Sequence, residues 1–521
     1  MQTDSQKKAT EKLLGLVQAE FPGLSDAEQE LIRQAVTTET ACAGPHDPND
    51  AANYPEFSEV DTPEHGAPWE KKREVRAGLI RWLCVNAEAA ALVDPNGIQL
   101  FGARITGILK LDFVTIPFPL RLRRCRLTAL TSLLGCQIPR LDLEGSWTEA
   151  IAADGAVVKQ SVFLSQGFQA NGTVSLVTCQ IGGSLVCEGG RFLETIVADG
   201  LSVGGDALLR SYQVGKNATG FLVQRGLRLI GAKIEGDLDC RGGTFGEPRD
   251  PAKPVNPPPD AINLERAEIK GPIVFLSDTD GPATVGFQAN GKIDLAGASA
   301  GILADERGSW PEPGCLRLDG FVYERIDTDS PRDAAARLDW LARDTAAPQP
   351  TQPYRHLAKL LQDSGDSRGA RKVLMAMEER LAKQNNWPPM RWLKWFIGYG
   401  YWPIRAVWVL LAVWLLGGLA SWQGAQVGAM APTDKDTYVM FKSAAHRLPP
   451  HYPAFSPPAF SFENTFPLVK LGQADKWPPD PAPDASAYAV FLRRAIWVQI
   501  VLGWFLATLF VAGVSGIVQH D

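Results

Sequence analysis

The sequence predicts a mainly β fold, a β-helix or solenoid over residues 96–330, joined to helices at both ends. A short phrase recurs, as GARITGILKL at Gly102–Leu111, TCQIGGSLVC at Thr178–Cys187 and GAKIEGDLDC at Gly231–Cys240. In each copy apolar or small residues alternate with polar ones, which gives a strand with one buried face. The copies begin roughly 11 or 22 residues apart with Gly at the corners, a spacing typical of stacked coils.

The N-terminal 95 residues are predicted to form a helical cap with an acidic loop. Ser25–Val36 has the pattern of a helix, with Ser25 as N-cap and Glu28 three residues later. Cys42–Pro68 is rich in Pro, Asn, Asp and Glu and is predicted to be an exposed loop, with a partner-docking role as the alternative. Trp69–Leu92 returns to helical spacing. This block would cover the open edge of the first coil.

The repeats are interrupted and then resume before the chain turns helical. A Pro-rich insertion at 248–259 is predicted to be an exposed excursion. The six residues GFQANG occur at Gly167 and again at Gly286, which predicts the same architecture on both sides of the insertion. The strand pattern fades by about Tyr323, and residues 354–386 are predicted to form a helical hairpin.

Residues 387–521 are predicted to be a two-helix membrane module with spans at about 401–424 and 495–518. Each apolar run is long enough to cross about 30 Å of hydrocarbon. Three cations cluster just before and at the start of the first span, and the early chain has no apolar run of the length of a secretory signal. The cations are Arg391, Lys394 and Arg405. We therefore expect a multi-pass protein of a bacterial inner membrane with its solenoid in the cytoplasm.

Composition and cysteine usage narrow the function classes. With 52 Lys and Arg against 58 Asp and Glu, nothing in the charge balance predicts a nucleic-acid partner. The eight cysteines include no CxxC pair, and five of them lie inside the repeat phrases. We expect those five to fill small apolar positions as reduced thiols rather than to form disulfides or metal sites. They are Cys125, Cys136, Cys179, Cys187 and Cys240.

No motif in the sequence predicts a cofactor, a metal site or a catalytic residue. There is no GxGxxG opening a helix after a strand, no CxxCH, no P-loop and no GxSxG elbow. The six histidines are scattered and none pairs at metal-ligand spacing. Whether the chain is an enzyme stays open, and the motifs favour a protein that is not one.

Two carboxylates in the repeats allow a different interpretation. Asp154 and Asp199 both stand in an ADG phrase, and coil-borne carboxylates can form the acid/base pair of a polysaccharide-cleaving β-helix enzyme. Asp-Gly is also a common corner, because Asp bonds local backbone and Gly accepts positive φ. The corner interpretation is favoured. Asp237 and Asp239 are predicted to lie on a solvated strand face.

The predicted membrane module contains the candidate pore residues. Gln499 is the one strongly polar side chain inside the second apolar run, where it could bond a neighbouring helix or line a water-filled path. Gly503 and Gly516 lie in small-xxx-small spacings that allow close helix approach. The segment between the spans adds three polar candidates. They are Lys470, Gln473 and Asp475.

Several phrases resemble those of bacterial membrane proteins that join a pentapeptide-like β-solenoid to a C-terminal two-span module. They include IRWLC at Ile80–Cys84, GDLDCRGG at Gly236–Gly243, FPLVKLGQADKW at Phe466–Trp477 and LGWFLATLFVAGVSGI at Leu502–Ile517. The resemblance implies a solenoid, two spans and similarity to ion channel pores. Some members of that group are described as membrane-associated oxidoreductases. A potassium filter of the TVGYG type is absent, and KLGQAD stands in the corresponding loop.

These observations leave three hypotheses for function. In the first, the solenoid binds or senses a protein partner and is coupled to a pore of several copies, as in a stress or antiphage effector. In the second, it is a membrane-anchored scaffold without conduction. The third is the membrane-associated oxidoreductase that the resemblance implies. The expected partners are membrane lipid, a protein on the solenoid and, for a pore, further copies of the chain, because two spans cannot enclose one alone.

Overall fold

The computed structural model describes residues 4–44, 71–214, 217–248, 258–280, 283–346, 350–384, 404–443, 448–466, 468–482 and 486–514. The chain divides into two compact units, Met1–Ala370 and Arg371–Asp521. Most of the predicted acidic loop and most of the Pro-rich insertion lie outside the described residues, as do 401–403 at the start of the first predicted span and Gly516 near the end of the second.

The described helices are numbered in chain order. In the first unit they are α1 Asp4–Glu20, α2 Asp26–Gln34, α3 Ala77–Val85, α4 Ala87–Ala90, α5 Ala334–Leu341 and α6 Gln352–Asp363, with α7 Ser367–Gln384 running on into the second unit. In the second unit they are α8 Ile404–Gln426, α9 Lys435–Ser443, α10 Pro457–Thr465 and α11 Ala487–Val514. Single 3-10 turns occur at Lys71–Arg73 and Arg307–Ser309.

The middle of the chain forms large parallel sheets of many short strands. The second sheet contains Glu74–Arg76, Arg104–Thr106, Arg126–Leu127, Trp147–Thr148, Gln169–Ala170, Arg191–Phe192, Leu222–Val223, Thr244–Phe245 and Gln288–Ala289. The third sheet contains Leu109–Lys110, Thr131–Ser132, Ile151–Ala152, Val174–Ser175, Ile196–Val197, Leu227–Arg228, Asp260–Asn263, Lys292–Asp294 and Leu316–Arg317.

The first sheet is the largest because two of its sides join near its end. One side contains Ala41–Cys42, Ile98–Phe101, Leu120–Arg123, Leu141–Asp142, Val162–Phe163, Leu185–Val186, Ala207–Leu208 and Leu238–Asp239. The other contains Gln137–Ile138, Val157–Val158, Gln180–Ile181, Ser202–Val203 and Lys233–Ile234. Glu268–Phe275 pairs with the last strand of both sides, and Ser299–Asp305 and Val322–Ile326 follow it.

The chain visits these four sides in a fixed order and then returns to the first. Leu141 pairs with Leu120 on one flank and with Val162 on the other, so each strand is one full circuit away from its partners in the sequence. In the regular coils, equivalent residues of neighbouring coils lie 20 to 23 positions apart, from Thr131 and Ile151 at one extreme to Val157 and Gln180 at the other. The separation rises to 31 where a hairpin at residues 212–219 is inserted, as between Arg191 and Leu222. These parallel sheets are consistent with the β-solenoid that the repeats predict. Tyr212–Val214 and Asn217–Thr219 form a separate antiparallel hairpin.

A column of phenylalanines fills the interior along the second sheet. Neighbouring rings have their centroids 5.4–5.6 Å apart and are tilted by 39–47°. This spacing exceeds the strand separation of about 4.8 Å because tilted rings pack better than parallel ones. The column consists of Phe168, Phe192, Phe221, Phe245 and Phe287. Its two end members come from the two GFQANG copies, which occupy equivalent positions in this sheet, as their identity predicts.

The five cysteines of the repeat phrases are buried, as predicted. Burial raises the pKa of the thiols of Cys125 and Cys179 to about 12, so both are neutral at physiological pH. A thiol without thiolate character is a poor nucleophile and a poor metal ligand. These side chains act as small apolar residues of the core.

The N-terminal cap differs in part from the helical prediction. Ser25 and Glu28 form the expected capping box at the start of α2. The segment predicted to be helical from Trp69 is described from Lys71. It contains a 3-10 turn at Lys71–Arg73 and then the strand Glu74–Arg76, which pairs with Arg104–Thr106, before α3 and α4 follow. Helical spacing and a buried edge strand compete here, and the strand satisfies the open backbone groups of the first coil.

The last coil is covered by α5 and α6. Arg337 on α5 is fully buried and makes a two-pronged ion pair with Asp305, with Nη1–Oδ2 and Nη2–Oδ1 distances of 2.8 and 2.6 Å. On α6, His356 places Nε2 within 3.1 Å of the Tyr323 nitrogen and 2.8 Å of its carbonyl oxygen. Without a proton, Nε2 accepts the Tyr323 N–H, and with a proton it donates to the carbonyl oxygen, so the imidazole satisfies one of these two backbone groups at a time.

We predict that this cap weakens as the pH falls below the ordinary histidine value. Burial, together with the charge of Lys359, lowers the pKa of His356, so the unfolded chain takes up a proton first and stability is lost as the pH drops through about 6.5. Protonated Nε2 also cannot accept the Tyr323 N–H. Melting temperatures at about pH 7.5 and pH 5.5 should differ more for the wild type than for His356→Gln. Equal differences in the two proteins would contradict this role.

Candidate functional site

The second unit contains two long apolar helices with a short helix packed against both. Over their most apolar windows, α8 and α11 are long and apolar enough to cross a membrane, and only 17% and 22% of those windows is buried. A core helix of a water-soluble domain would be mostly covered by its own chain. The nine residues of α10 contact both long helices.

The boundaries of the long helices differ from the predicted spans. The first, predicted at 401–424, is described from Ile404 to Gln426. The second, predicted to start at 495, begins at Ala487 and includes Arg493, whose Nη2 donates to the carbonyl oxygen of Asp480 at 2.8 Å. An arginine with a partner just outside the apolar run allows the helix to continue through the predicted boundary.

Gln499 lies at the centre of a buried hydrogen-bond network that joins three helices. Its Nε2 is 2.8 Å from Ser461 Oγ, 3.0 Å from the Ser461 carbonyl oxygen and 2.7 Å from Thr465 Oγ1. Ser461 Oγ donates onward to the carbonyl oxygen of Trp414 at 2.7 Å, and Thr465 Oγ1 donates to the Ser461 carbonyl oxygen at 2.8 Å. All of the hydroxyl protons therefore point away from Gln499, and their lone pairs face its amide.

The network fixes α10 by its polar face. Gln499 is 6% exposed, and Ser461 and Thr465 are fully buried. A second bond runs from Trp414 Nε1 to the Pro458 carbonyl oxygen at 2.9 Å. Within one chain Gln499 is thus a helix–helix hydrogen-bond donor, the first of the two roles considered for it.

Glycines permit the close approach of the three helices. A Cβ on Gly503 would lie 2.2 Å from the Thr465 carbonyl oxygen, and a Cβ on Gly417 would lie 2.4 Å from the Gln499 amide. Gly503 therefore faces α10 rather than a free surface. Gly418 has more room, since its Cβ would be 3.7 Å from the nearest atom of Ser461.

The backbone of the segment after α10 is fixed by hydrogen bonds to one carboxylate. Glu463 accepts backbone N–H bonds from Gly472 at 3.3 Å, Gln473 at 2.8 Å and Ala474 at 2.9 Å. Lys470 is exposed, and so are the apolar side chains of Leu468 and Leu471 beside it. The loop therefore exposes apolar side chains at its tip, while the hydrogen bonds to Glu463 fix the backbone at its base.

The other two polar candidates of this segment have structural contacts. Gln473 accepts the Ser456 N–H at 3.0 Å through Oε1 and donates to the Ala454 carbonyl oxygen at 3.3 Å. The backbone oxygen of Asp475 accepts from Thr433 Oγ1 at 2.7 Å, and its side chain is exposed. Nearby, a buried cluster secures the segment to the long helices. It consists of Met430, Phe460, Trp477, Leu492 and Ile496.

On the solenoid, Asp154 and Asp199 link neighbouring coils. Asp154 accepts from Ser175 Oγ and from the Val177 N–H, and Asp199 accepts from the Arg228 guanidinium and the Ile230 N–H. One coil separates the two residues, which places them about 9–10 Å apart. Both carboxylates are occupied by donors of the next coil, an arrangement that favours the corner interpretation.

The predicted solvated face at Asp237 and Asp239 is wrong for Asp239. This residue is 3% exposed, and its carboxylate pairs with Arg210 at 3.1 Å and Arg241 at 2.7 Å. Two guanidinium groups compensate the loss of hydration, so a carboxylate can be buried at a strand end.

Neither a metal site nor a similar protein guides the assignment. Among the described residues, no group of three or more His, Cys, Asp or Glu side chains is arranged to hold a metal ion. Comparisons of the chain with protein-family models, with curated proteins and with solved structures gave no match.

The sequence identifies Gln499 as a candidate residue but does not identify its hydrogen-bond partners. Ser461 and Thr465 lie four positions apart within α10, the spacing that places two hydroxyls on one helix face. Two hydroxyls on one face of a short apolar helix, opposite one glutamine in a long one, is the signal that would have predicted the network. Glu463 carried no comparable signal, because its partners are backbone groups.

We predict opposite effects from alanine at two glycines that face the same short helix. Gly503→Ala should lower the stability of the second unit by about 1–3 kcal/mol, because the new methyl group overlaps the Thr465 carbonyl oxygen. Gly418→Ala should be neutral or stabilising, because it has room and alanine favours helix by up to about 1 kcal/mol. Melting temperatures of the full-length protein in detergent test this. Equal losses for both variants would contradict the close packing of α10.

Proposed function

We propose that the chain is a membrane protein whose C-terminal unit assembles with copies of itself into a pore, and whose solenoid binds the protein that controls it. The observation that carries the proposal is α10, a short helix held between two long apolar helices by Gln499 and followed by an exposed loop. A helix and loop inserted between two spans is a general way to bring backbone and polar groups to the middle of a bilayer.

The exposed surface of the long helices supports placement in a membrane. Large apolar side chains on both helices are uncovered, and water would have to solvate all of them. On α8 they include Trp408, Leu415, Leu416, Leu419 and Trp422, and on α11 Trp497, Val501, Trp504, Phe505 and Val511. Lipid covers such surfaces at no cost, so spanning explains their exposure.

The loop after α10 supports assembly of several copies. Leu468 is 86% exposed and Leu471 is 50% exposed in the single chain. Two long helices cannot surround an aqueous path, whereas several copies can do so with this loop at the shared axis. A ring of Lys470 side chains would then face the path and favour anions over cations.

The solenoid's role and kinship are part of the same proposal. A regular coil of 20 to 23 residues with four sides has about five residues per side, which supports kinship with pentapeptide-like solenoids. Solenoids offer long regular surfaces for protein partners. We place this unit in the cytoplasm on the cation pattern before the first span.

We predict ion flux through the full-length protein in liposomes, with a selectivity that depends on Lys470. Lys470→Glu reverses a charge on the exposed loop and should shift permeation from anions toward cations in reversal-potential measurements. The matched control is Lys435→Glu, which reverses an exposed charge at the start of α9 and should leave selectivity unchanged. Correctly inserted protein that conducts in no salt at any voltage would contradict the pore and favour the anchored scaffold.

We also predict that loss of the Gln499 network abolishes flux by releasing α10. Gln499→Leu leaves the Ser461 and Thr465 hydroxyls without their donor, at a cost of about 1–3 kcal/mol. Gln499→Asn shortens the side chain but keeps the amide, so partial function should remain. Limited proteolysis near α10, compared with wild type, reports release directly. Full flux in Gln499→Leu would show that α10 is not part of the conducting structure.

A further inference from the structure

The first two coils of the solenoid present an apolar face that the proposed function does not use. In the described part of the first unit, five large apolar side chains are exposed, and four of them belong to α3 or to these two coils. Their exposed fractions are 48% for Val85, 58% for Ile108, 82% for Phe113 and 38% for Leu130. A cluster of this kind on one end of an otherwise well-covered unit indicates contact with another surface.

These residues lie on the side of the third sheet. Ile108 and Phe113 flank the strand Leu109–Lys110, and Leu130 precedes the paired strand of the next coil. The Phe113 ring lies over the corner of the next coil, because a Cβ on Gly135 would be 2.8 Å from it. We call Val85, Ile108, Lys110, Phe113 and Leu130 the first-coil face.

Cations lie within the first-coil face and on the sheet beside it. Lys110 is exposed in its middle, 3.9 Å from Asp112. Arg104 and Arg126 stand on the adjacent second sheet, in the strands that precede the corners of Ile108 and Leu130. Arg104 is 40% exposed and pairs loosely with Glu74 at 3.7 Å.

The surrounding sequence has an excess of positive charge in a chain whose net charge is −6. Between residues 71 and 140 the basic side chains are Lys71, Lys72, Arg73, Arg76, Arg81, Arg104, Lys110, Arg121, Arg123, Arg124, Arg126 and Arg140. The acidic side chains over the same residues are Glu74, Glu88, Asp94 and Asp112. Two carboxylates outside this window pair with three of these arginines, Glu28 with Arg76 and Asp142 with Arg123 and Arg140. The remaining count, nine basic against four acidic side chains, still gives the first coils an excess of positive charge.

The backbone at Phe113 provides an independent observation. Three residues after each strand of the third sheet the chain turns with φ between 53° and 77°. Most coils place glycine there, and the full set is Phe113, Gly135, Gly155, Thr178, Gly200, Gly231, Arg266, Gly297 and Gly320. A phenylalanine is strained in this left-handed conformation, and with its ring 82% exposed it gains little burial in return. Glycine at this position would remove the backbone strain.

We propose that the first-coil face docks on an anionic lipid surface. Exposed aromatic and aliphatic side chains with Lys110 among them and Arg104 and Arg126 on the adjacent sheet match the boundary between headgroups and acyl chains, where apolar groups insert and Lys and Arg meet anionic lipid. The proposal rests on the membrane placement proposed above, because a tethered face meets lipid at high effective concentration. A protein partner would require a complementary shape, whereas lipid requires only this chemistry.

Fluorescence quenching in liposomes that contain the full-length protein tests the proposal. A fluorophore on Leu130→Cys, in a Cys42→Ser background because the other seven cysteines are buried, reports contact with nitroxide-labelled lipid. We expect strong quenching in liposomes that contain phosphatidylglycerol and weak quenching in phosphatidylcholine alone. A fluorophore on Gln180→Cys, which is exposed on another side, should stay unquenched in both.

Two corner variants separate lipid contact from folding. Phe113→Gly removes the ring and the strain, so its melting temperature should not fall while quenching falls by about half or more. Thr178→Gly removes the same backbone strain at the equivalent corner of another coil and should leave quenching unchanged. Quenching of Leu130→Cys that is unaffected by Phe113→Gly, or absent in both lipids, would overturn the proposal.

Alkaline carbonate extraction of the same liposomes separates this inference from the proposed function. Protein that resists extraction but shows no quenching overturns lipid docking and leaves the spans in place. Protein that is extracted overturns the membrane proposal, and with it the docking that rests on it.

Discussion

The first unit depends on backbone hydrogen bonds between parallel strands that are one coil apart. Each short strand pairs only with the coil before and the coil after, so no coil satisfies its own backbone. The stack consequently needs a cover at each end. The strand Glu74–Arg76 and α2 and α3 supply one, and α5 and α6 supply the other, where His356 forms a hydrogen bond with the backbone of Tyr323.

The regular part of this architecture could be predicted, because the same constraint acts on every coil. Alternation within GAKIEGDLDC and its relatives gave the strands, and the identity of the two GFQANG copies placed Phe168 and Phe287 in one interior column. The prediction was wrong where two patterns overlapped. Val75 belongs to the segment with helical spacing, but it lies in a strand that pairs with Ile105 at the open edge of the first coil, where its side chain is fully buried.

The burial of charged side chains was the second feature that could not be predicted from the sequence. Asp239 alternates with Leu238 as a solvated residue would, yet it is buried between Arg210 and Arg241. One of these arginines is two residues away and the other comes from the preceding coil. Alternation predicts which residues point outward from a strand, but it does not predict whether neighbouring side chains bury them. Only the register of the coils determines that.

The hydrogen-bond partners of Gln499 could not be predicted from the sequence either, and they bear on the proposed pore. A lone glutamine in an apolar helix has to find a partner, but the sequence does not say whether that partner is in the same chain. In the structure its donor is used within the chain, on Ser461 and Thr465. In the pore proposed above, Gln499 would act by holding α10 in place, and the loop that follows α10 would supply the groups that face the ion. Selectivity would then depend on the exposed residues around Lys470 rather than on the long helix, because Glu463 fixes the base of their loop through backbone hydrogen bonds.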